Sequence, residues 1–290
     1  MRMAELISLV RLGRDVKPTS LKQLGYTVSL LRQFLGREPV LDDFTDDLLN
    51  RWIDWLASTP SRHGPLRRKR TIKTQRNNAI TLWNFAWEAE LVERTPRRVK
   101  KIKVGPTLPE AWSEQQMAIW LAACDRIPGF VASVLAPAKV VMRAWSLLCW
   151  DTCARMCDLL RLKRSDISSD GSVVIVQEKT AHPVLCRLRP ETIAAIDEVC
   201  RHSGKDHIFC FGRATILHHW AKVREASGLN GTPKKIRKSR ATSAEALRRG
   251  SAPIVLGHKP GSTVAYRAYV DPRQTLPDPG LPPAIDRMAE

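Results

Sequence analysis

Several things are scarce in this sequence. No apolar stretch approaches the ~18 residues a membrane-spanning helix needs, and "MRMAELISLVRLGRDVKP" is broken by charges too early for a secretory signal. The expectation is a cytoplasmic chain. There are seven cysteines, an odd number without framework spacing, which fits reduced thiols. Cys149, Cys153 and Cys157 fall at i, i+4, i+8 and would line one helix face. No pair has the C-x₂-C spacing of a structural zinc site, so they read as small buried hydrophobes, and no metal is expected. Internal repeats and low-complexity segments are absent. Tyrosine is rare, at three residues: Tyr26, Tyr266 and Tyr269. Acids are few as well: 29 Asp and Glu stand against 47 Lys and Arg, a formal charge of +18. That excess points to a polyanionic partner, nucleic acid first.

What is present suits a folded protein. Hydrophobic residues make up 43% and charged residues 26% of 290, enough for two domains with separate cores. The first hundred residues hold three helical patterns and nothing that alternates like a strand. Leu21, Leu24, Val28, Leu31 and Leu35 share a face after the N-cap candidates Thr19 and Ser20. Phe44, Leu48, Trp52 and Trp55 repeat the spacing after Asp42 and Asp43, and Ile72, Ala79, Trp83, Trp87 and Leu91 do so in a third segment. Tyr26 lies in this bundle, where core packing explains it.

Two basic runs flank the third helix: "SRHGPLRRKRTIKTQR" before it and "RTPRRVKKIKVGPTLPE" after it. Each is nearly free of acids, and together they predict a phosphate-contacting surface made by Arg67, Arg68, Lys69, Arg70, Lys73, Arg76, Arg97, Arg98, Lys100 and Lys101. Pro96, Gly105, Pro106 and Pro109 place a linker at 96–109. The expected division is an all-α DNA-binding domain over 1–105 and a second domain over 106–290.

Beyond residue 110, helices are predicted near 113–124, 138–162, 191–202, 213–227 and 234–249. Val173 to Val176 and Val184 to Leu188 read as strands, with Asp170-Gly171 before them and Ala181-His182-Pro183 between them. The expected class is mainly α with a small antiparallel β-sheet in the C-terminal domain. Arg155 is conspicuous within the apolar run "LLCWDTCARMCDLLRLKRSDI", because an unpartnered buried guanidinium is costly. Asp158, three residues on, is placed to pair with it on a helix.

"DTCARMCDLLRLKRSDI" resembles the segment of tyrosine recombinases, the phage-integrase family, that carries their first catalytic arginine. That segment usually reads Thr-Gly-x before the arginine; here Cys153 replaces the glycine. "SVVIVQEKTAHPVLCRL" resembles the family's β-hairpin, with Lys179 at the catalytic lysine. "PKKIRKSRAT" resembles the His-x-x-Arg motif, matching Arg237 but with Lys234 at the histidine position. "VLGHKPGSTVAYRAYVDP" resembles the last segment, matching Gly257 and His258. Of its two tyrosines, Tyr269 is followed by "VDP", as in some integrases, and Tyr266 falls short of the usual distance from Arg237. The N-terminal bundle is similar to the family's core-binding domain.

The resemblance implies a two-domain site-specific recombinase that cleaves and rejoins DNA through a 3′-phosphotyrosyl intermediate, without metal, cofactor or ATP. It implies a catalytic set of Arg155, Lys179, Lys234, Arg237, His258 and Tyr269. The partners would be double-stranded DNA and three further copies, as a homotetramer on paired sites, in a nucleoid-associated cytoplasmic protein. The residue types suit that chemistry. Two guanidiniums match the nonbridging oxygens of a five-coordinate phosphorus, the phenol attacks, and Lys179 gives the leaving 5′-oxygen its proton. An unperturbed lysine has a pKa near ~10.4, so Lys234 is expected mainly as a third cation on the phosphate, unless neighbouring arginines make it a base. The alternatives are a catalytically silent DNA binder of the same fold and a type IB topoisomerase-like nicking-closing enzyme. The C-terminal "QTLPDPGLPPAIDRMAE" is a candidate docking segment, although its prolines equally suit a frayed tail.

Overall fold

The structure is a computed structural model and describes residues 1–61, 64–259 and 262–275. Most of the C-terminal docking candidate, 276–290, lies outside the described residues. The chain divides into two compact units, Met1–Pro106 and Thr107–Glu290. No helix among the described residues is long and apolar enough to cross a membrane.

The N-terminal unit is all helical: α1 (Met3–Gly13), α2 (Pro18–Leu35), α3 (Asp46–Ser58) and α4 (Lys69–Glu88). Three helices were predicted here, and α1 is a fourth. It buries Met3, Leu6 and Val10, while exposed Leu9 and Leu12 blur the apolar stripe that would reveal it. Helix α2 starts at Pro18 rather than after Thr19 or Ser20, since proline is preorganised for the first helical position. Thr45, not Asp42 or Asp43, caps α3, its hydroxyl accepting from the Leu48 amide at 3.2 Å. The core gathers Leu31, Leu49, Trp52, Leu56, Leu82 and Trp83, each large apolar side chain contributing roughly 1.5–3 kcal/mol. Trp87 and Tyr26 are about half exposed, so core packing does not explain Tyr26. Helix α4 ends at Glu88, short of Leu91, and Glu90 takes a left-handed φ of 57°.

The C-terminal unit begins its helices with α5 (Glu114–Cys124), set by a Ser113/Gln116 capping box. Strands β1 (Phe130–Val131) and β2 (Ala136–Pro137) follow, then α6 (Ala138–Thr152), α7 (Met156–Leu159), β3 (Ser172–Val176), β4 (Pro183–Arg187), α8 (Pro190–Ser203), α9 (Arg213–Ser227), α10 (Lys234–Leu247), α11 (Ser251–Val255) and α12 (Val264–Ala268). One sheet is expected, and the described residues form two antiparallel pairs. The β1–β2 pair is too short for alternation to reveal it, while β3–β4 pairs Val174 with Leu185. The main core surrounds Trp120, Met142, Trp145, Leu148 and Phe209. A second, smaller cluster packs Cys153, Ala241, Ala252, Leu256, Ala265, Tyr269 and Val270, and it positions the site.

Candidate active site

The predicted helix over 138–162 is interrupted where it matters. Helix α6 stops at Thr152, Cys153 turns left-handed at φ 50°, and its amide closes the helix on Cys149 O at 3.0 Å. Arg155 is therefore not mid-helix. It is the extended N-cap residue of the short α7, half-buried. Cysteine in place of glycine removes the usual stop signal, so apolar periodicity ran straight through the turn. For the same reason Cys149, Cys153 and Cys157 do not share a helix face.

The expected Arg155–Asp158 pair is also replaced. Arg155 Nη1 donates to Gln177 Oε1 at 2.5 Å. Asp158 instead accepts from the Glu178 amide at 2.9 Å and pairs with Arg161 at 3.4 Å. Among the described residues, Cys157, Asp158 and Glu178 have the spacing of a metal-ligand set. The Arg161 guanidinium already sits between the two carboxylates, 3.8 Å from Glu178.

Arg237 projects from α10 and is 3% exposed. It donates through Nη1 to Cys153 O and through Nη2 to Leu256 O at 3.0 Å, and its Nε finds no partner among the described residues. One turn earlier on α10, Lys234 lies with Nζ 4.5 Å from the Tyr269 ring centre, and the Arg237 Cζ is 5.1 Å from that centre. The His258 ring meets Tyr269 edge-on, with centroids 5.6 Å apart. Arg155, Lys179, Lys234, Arg237 and Tyr269 line one cavity of about 590 Å³ in the C-terminal unit; His258 is not among its lining residues. Tyr266, 43% exposed, points its hydroxyl at Glu245 at 3.4 Å instead.

The electrostatics of this cavity are one-sided. Among the described residues, Arg155, Lys179, Arg213, Lys234 and Arg237 are its charged lining residues, and no described carboxylate joins them. Burial, then the charges of Arg237, Arg155 and Lys179, push His258 down to about 4, so it is neutral at pH 7. Burial works to raise the Tyr269 phenol, but Arg237, Lys234 and Arg155 outweigh it and bring it below the ordinary tyrosine value. Tyr266 moves the other way, raised by burial and then by Glu245. A cationic cleft beside a phenol whose anion is favoured can bind a phosphate oxygen and present a nucleophile to it.

Nothing in the sequence singles out Arg213 or Gln177. Arg213 has no motif around it, and Gln177 is an uncharged residue two positions before Lys179 whose importance rests on distant contacts.

The basic runs of the N-terminal unit are less uniform than predicted. Arg68, Lys69, Arg70, Lys73, Arg97, Arg98 and Lys101 are exposed. The other three are engaged within the unit. Arg67 donates to Thr59 O at 2.8 Å and stacks on Trp55, Arg76 holds Lys100 O and Val99 O at 2.8 and 3.1 Å, and Lys100 pairs with Asp54.

No protein-family model matches the chain, and no curated protein does. Solved structures match its fold. A lambda integrase tetramer bound to a Holliday junction superposes with TM-score 0.70 at 17% identity, covering 93% of this chain and 77% of that one. XerH site-specific recombinase in a pre-cleavage complex with its difH substrate gives 0.67 at 16%, covering 92% and 80%. The Tn1549 transposon integrase with a circular-intermediate DNA gives 0.69 at 12%, covering 92% and 95%.

Proposed function

Since the chain has the tyrosine-recombinase fold, we propose that it is a site-specific DNA recombinase, with the C-terminal unit catalytic and the N-terminal unit gripping the duplex. The observation that carries this reading is the surroundings of Tyr269: Lys234 and Arg237 within about 5 Å of its ring, His258 edge-on, and Arg155 and Lys179 on the same cavity, whose described charged lining is all cationic.

In the proposed reaction the Tyr269 phenolate attacks the scissile phosphorus. A P–Oη bond forms as the P–O5′ bond breaks, leaving a 3′-phosphotyrosyl enzyme. Lys179 protonates the departing 5′-oxygen. Arg155 and Arg237 take the nonbridging oxygens, on which negative charge accumulates in the transition state. Neutral His258 donates a hydrogen bond to the same oxygens. Lys234 is a cation against the phenol ring and stabilises the phenolate. Because one phosphodiester is exchanged for another, attack by a 5′-hydroxyl from a second duplex rejoins the strands without ATP. Four copies would act on a pair of sites, one per strand.

A nicked suicide substrate tests this. Wild type and Tyr266→Phe should form a covalent protein–DNA adduct and Tyr269→Phe should not. Binding without any adduct would assign a silent DNA-binding protein. Adduct with relaxation but no recombinants on a two-site substrate would assign a nicking-closing enzyme.

A further inference from the structure

Gln177 is 3% exposed and stands between most of the site's components. Its side-chain Oε1 accepts from Arg155 Nη1 at 2.5 Å and from Thr180 Oγ1 at 3.0 Å, and its Nε2 donates to Leu256 O at 2.9 Å. Leu256 O also accepts from Arg237 Nη2 at 3.0 Å. One amide thus joins the two guanidiniums through a single shared carbonyl. The backbone of Gln177 holds the hairpin turn too, its carbonyl accepting from the Thr180 and Ala181 amides at 3.3 and 2.8 Å, which fixes the loop carrying Lys179. Gly257 makes room for the arrangement: a Cβ there would lie 2.6 Å from Gln177 Nε2 and 2.3 Å from Val184 Cγ2, at a φ of +60°.

We propose that Gln177 is the positioning residue of the phosphate clamp, setting the spacing of Arg155 and Arg237 before DNA arrives; the role rests on the phosphoryl-transfer reading above. A neutral amide is the side chain that meets both demands. Glutamate could hold Arg155 but could not donate to Leu256 O, and it would set a negative charge where phosphate must bind. Asparagine is one methylene too short to span both partners. Arg155 needs such a tether because Asp158, its neighbour in sequence, is engaged elsewhere.

The test uses the full chain with Gln177→Met, which conserves volume while removing all three side-chain hydrogen bonds. Single-turnover cleavage of the nicked substrate should fall about 10- to 100-fold, with DNA affinity changed less than twofold. Added to Arg155→Ala, the same substitution should cost less than threefold further, because the two act as one unit. Gln177→Glu should also cleave slowly, and it supplies the result should Gln177→Met fail to fold. Wild-type cleavage by either folded variant, or a Gln177→Met loss that multiplies in full with Arg155→Ala, overturns the proposal. A second readout needs no reaction: side-chain ¹⁵N NMR should show hindered rotation of the Arg155 guanidinium in wild type and its release in Gln177→Met. If wild type forms no Tyr269-dependent adduct while that NMR difference is seen, the reaction reading fails, and what stands is the holding of Arg155 by Gln177 without a catalytic consequence. If the adduct forms but the Arg155 signals are alike in both proteins, the positioning role fails alone.

Discussion

His258 should make the fold sensitive to mild acid. Its imidazole ionises near 6.5 in an unfolded chain but only at about 4 in the fold, because it is partly buried and faces Arg237, Arg155 and Lys179. Between these values the unfolded state binds the extra proton, so this contribution to stability is complete above about pH 6.5 and disappears as pH falls toward 4. The ceiling is then about 3 kcal/mol. The ring is only partly buried and solvent screens its neighbours, which reduces the expectation to about 1–2 kcal/mol. Urea unfolding of wild type and His258→Gln from pH 7.5 to 4.5 isolates this contribution from the other histidines. The stability difference between the two proteins should narrow or shift in favour of the variant by about 1–2 kcal/mol as pH falls. Two results would refute the reasoning: a constant difference across the range, or an NMR titration placing His258 between 6 and 7. Bound nicked DNA supplies the missing negative charge and should move the His258 titration upward.

Other outcomes follow from the same geometry. Lys234→His replaces an ammonium beside Tyr269 with an imidazole, which the guanidiniums that hold His258 down also keep neutral to below its ordinary 6.5; the rate at pH 8 should drop about tenfold and the pH–rate profile should gain a limb below 6.5, whereas superimposable profiles would deny Lys234 a protonic or electrostatic role. Cys153 holds a left-handed φ of 50° and places its Sγ 3.3 Å from Arg237 O, so Cys153→Ala loses that contact and keeps the strain; Cys153→Gly should be the more stable of the two by about 1 kcal/mol in urea. Removing the exposed Arg68, Lys69, Arg70 and Lys73 together should flatten the slope of log K against log[salt] by about 0.9 for each that meets a phosphate. Arg76→Gln should instead destabilise the N-terminal unit by about 1–2 kcal/mol, through its lost bonds to Lys100 O and Val99 O, and leave the slope nearly unchanged.

Local pattern made much of this molecule legible. The faces of α2, α3 and α4, the β3–β4 hairpin and the helices from α8 to α10 follow from apolar spacing and turn residues, which act over a few positions and need no knowledge of the rest. Where a feature depends on a distant partner, the pattern misleads. A continuous apolar run hid the left-handed turn at Cys153, and proximity in sequence suggested Asp158 for Arg155. Three basic residues in the runs, Arg67, Arg76 and Lys100, bind their own unit rather than standing free, which composition cannot distinguish.

The sequence alone determined which groups are available: an acid-poor chain, two separate apolar cores, a basic N-terminal half, and a handful of arginines, lysines and tyrosines in order. Only the tertiary structure decided which of them meet. Tyr269, rather than Tyr266, packs with α10 and α11 and comes under Lys234 and Arg237, and Gln177 holds Arg155 while sharing Leu256 O with Arg237. The physical reason is range. Helix and strand preferences are set within a turn or two, whereas a charged cleft comes into being when segments a hundred residues apart are packed against one another, and the field at its centre is their sum.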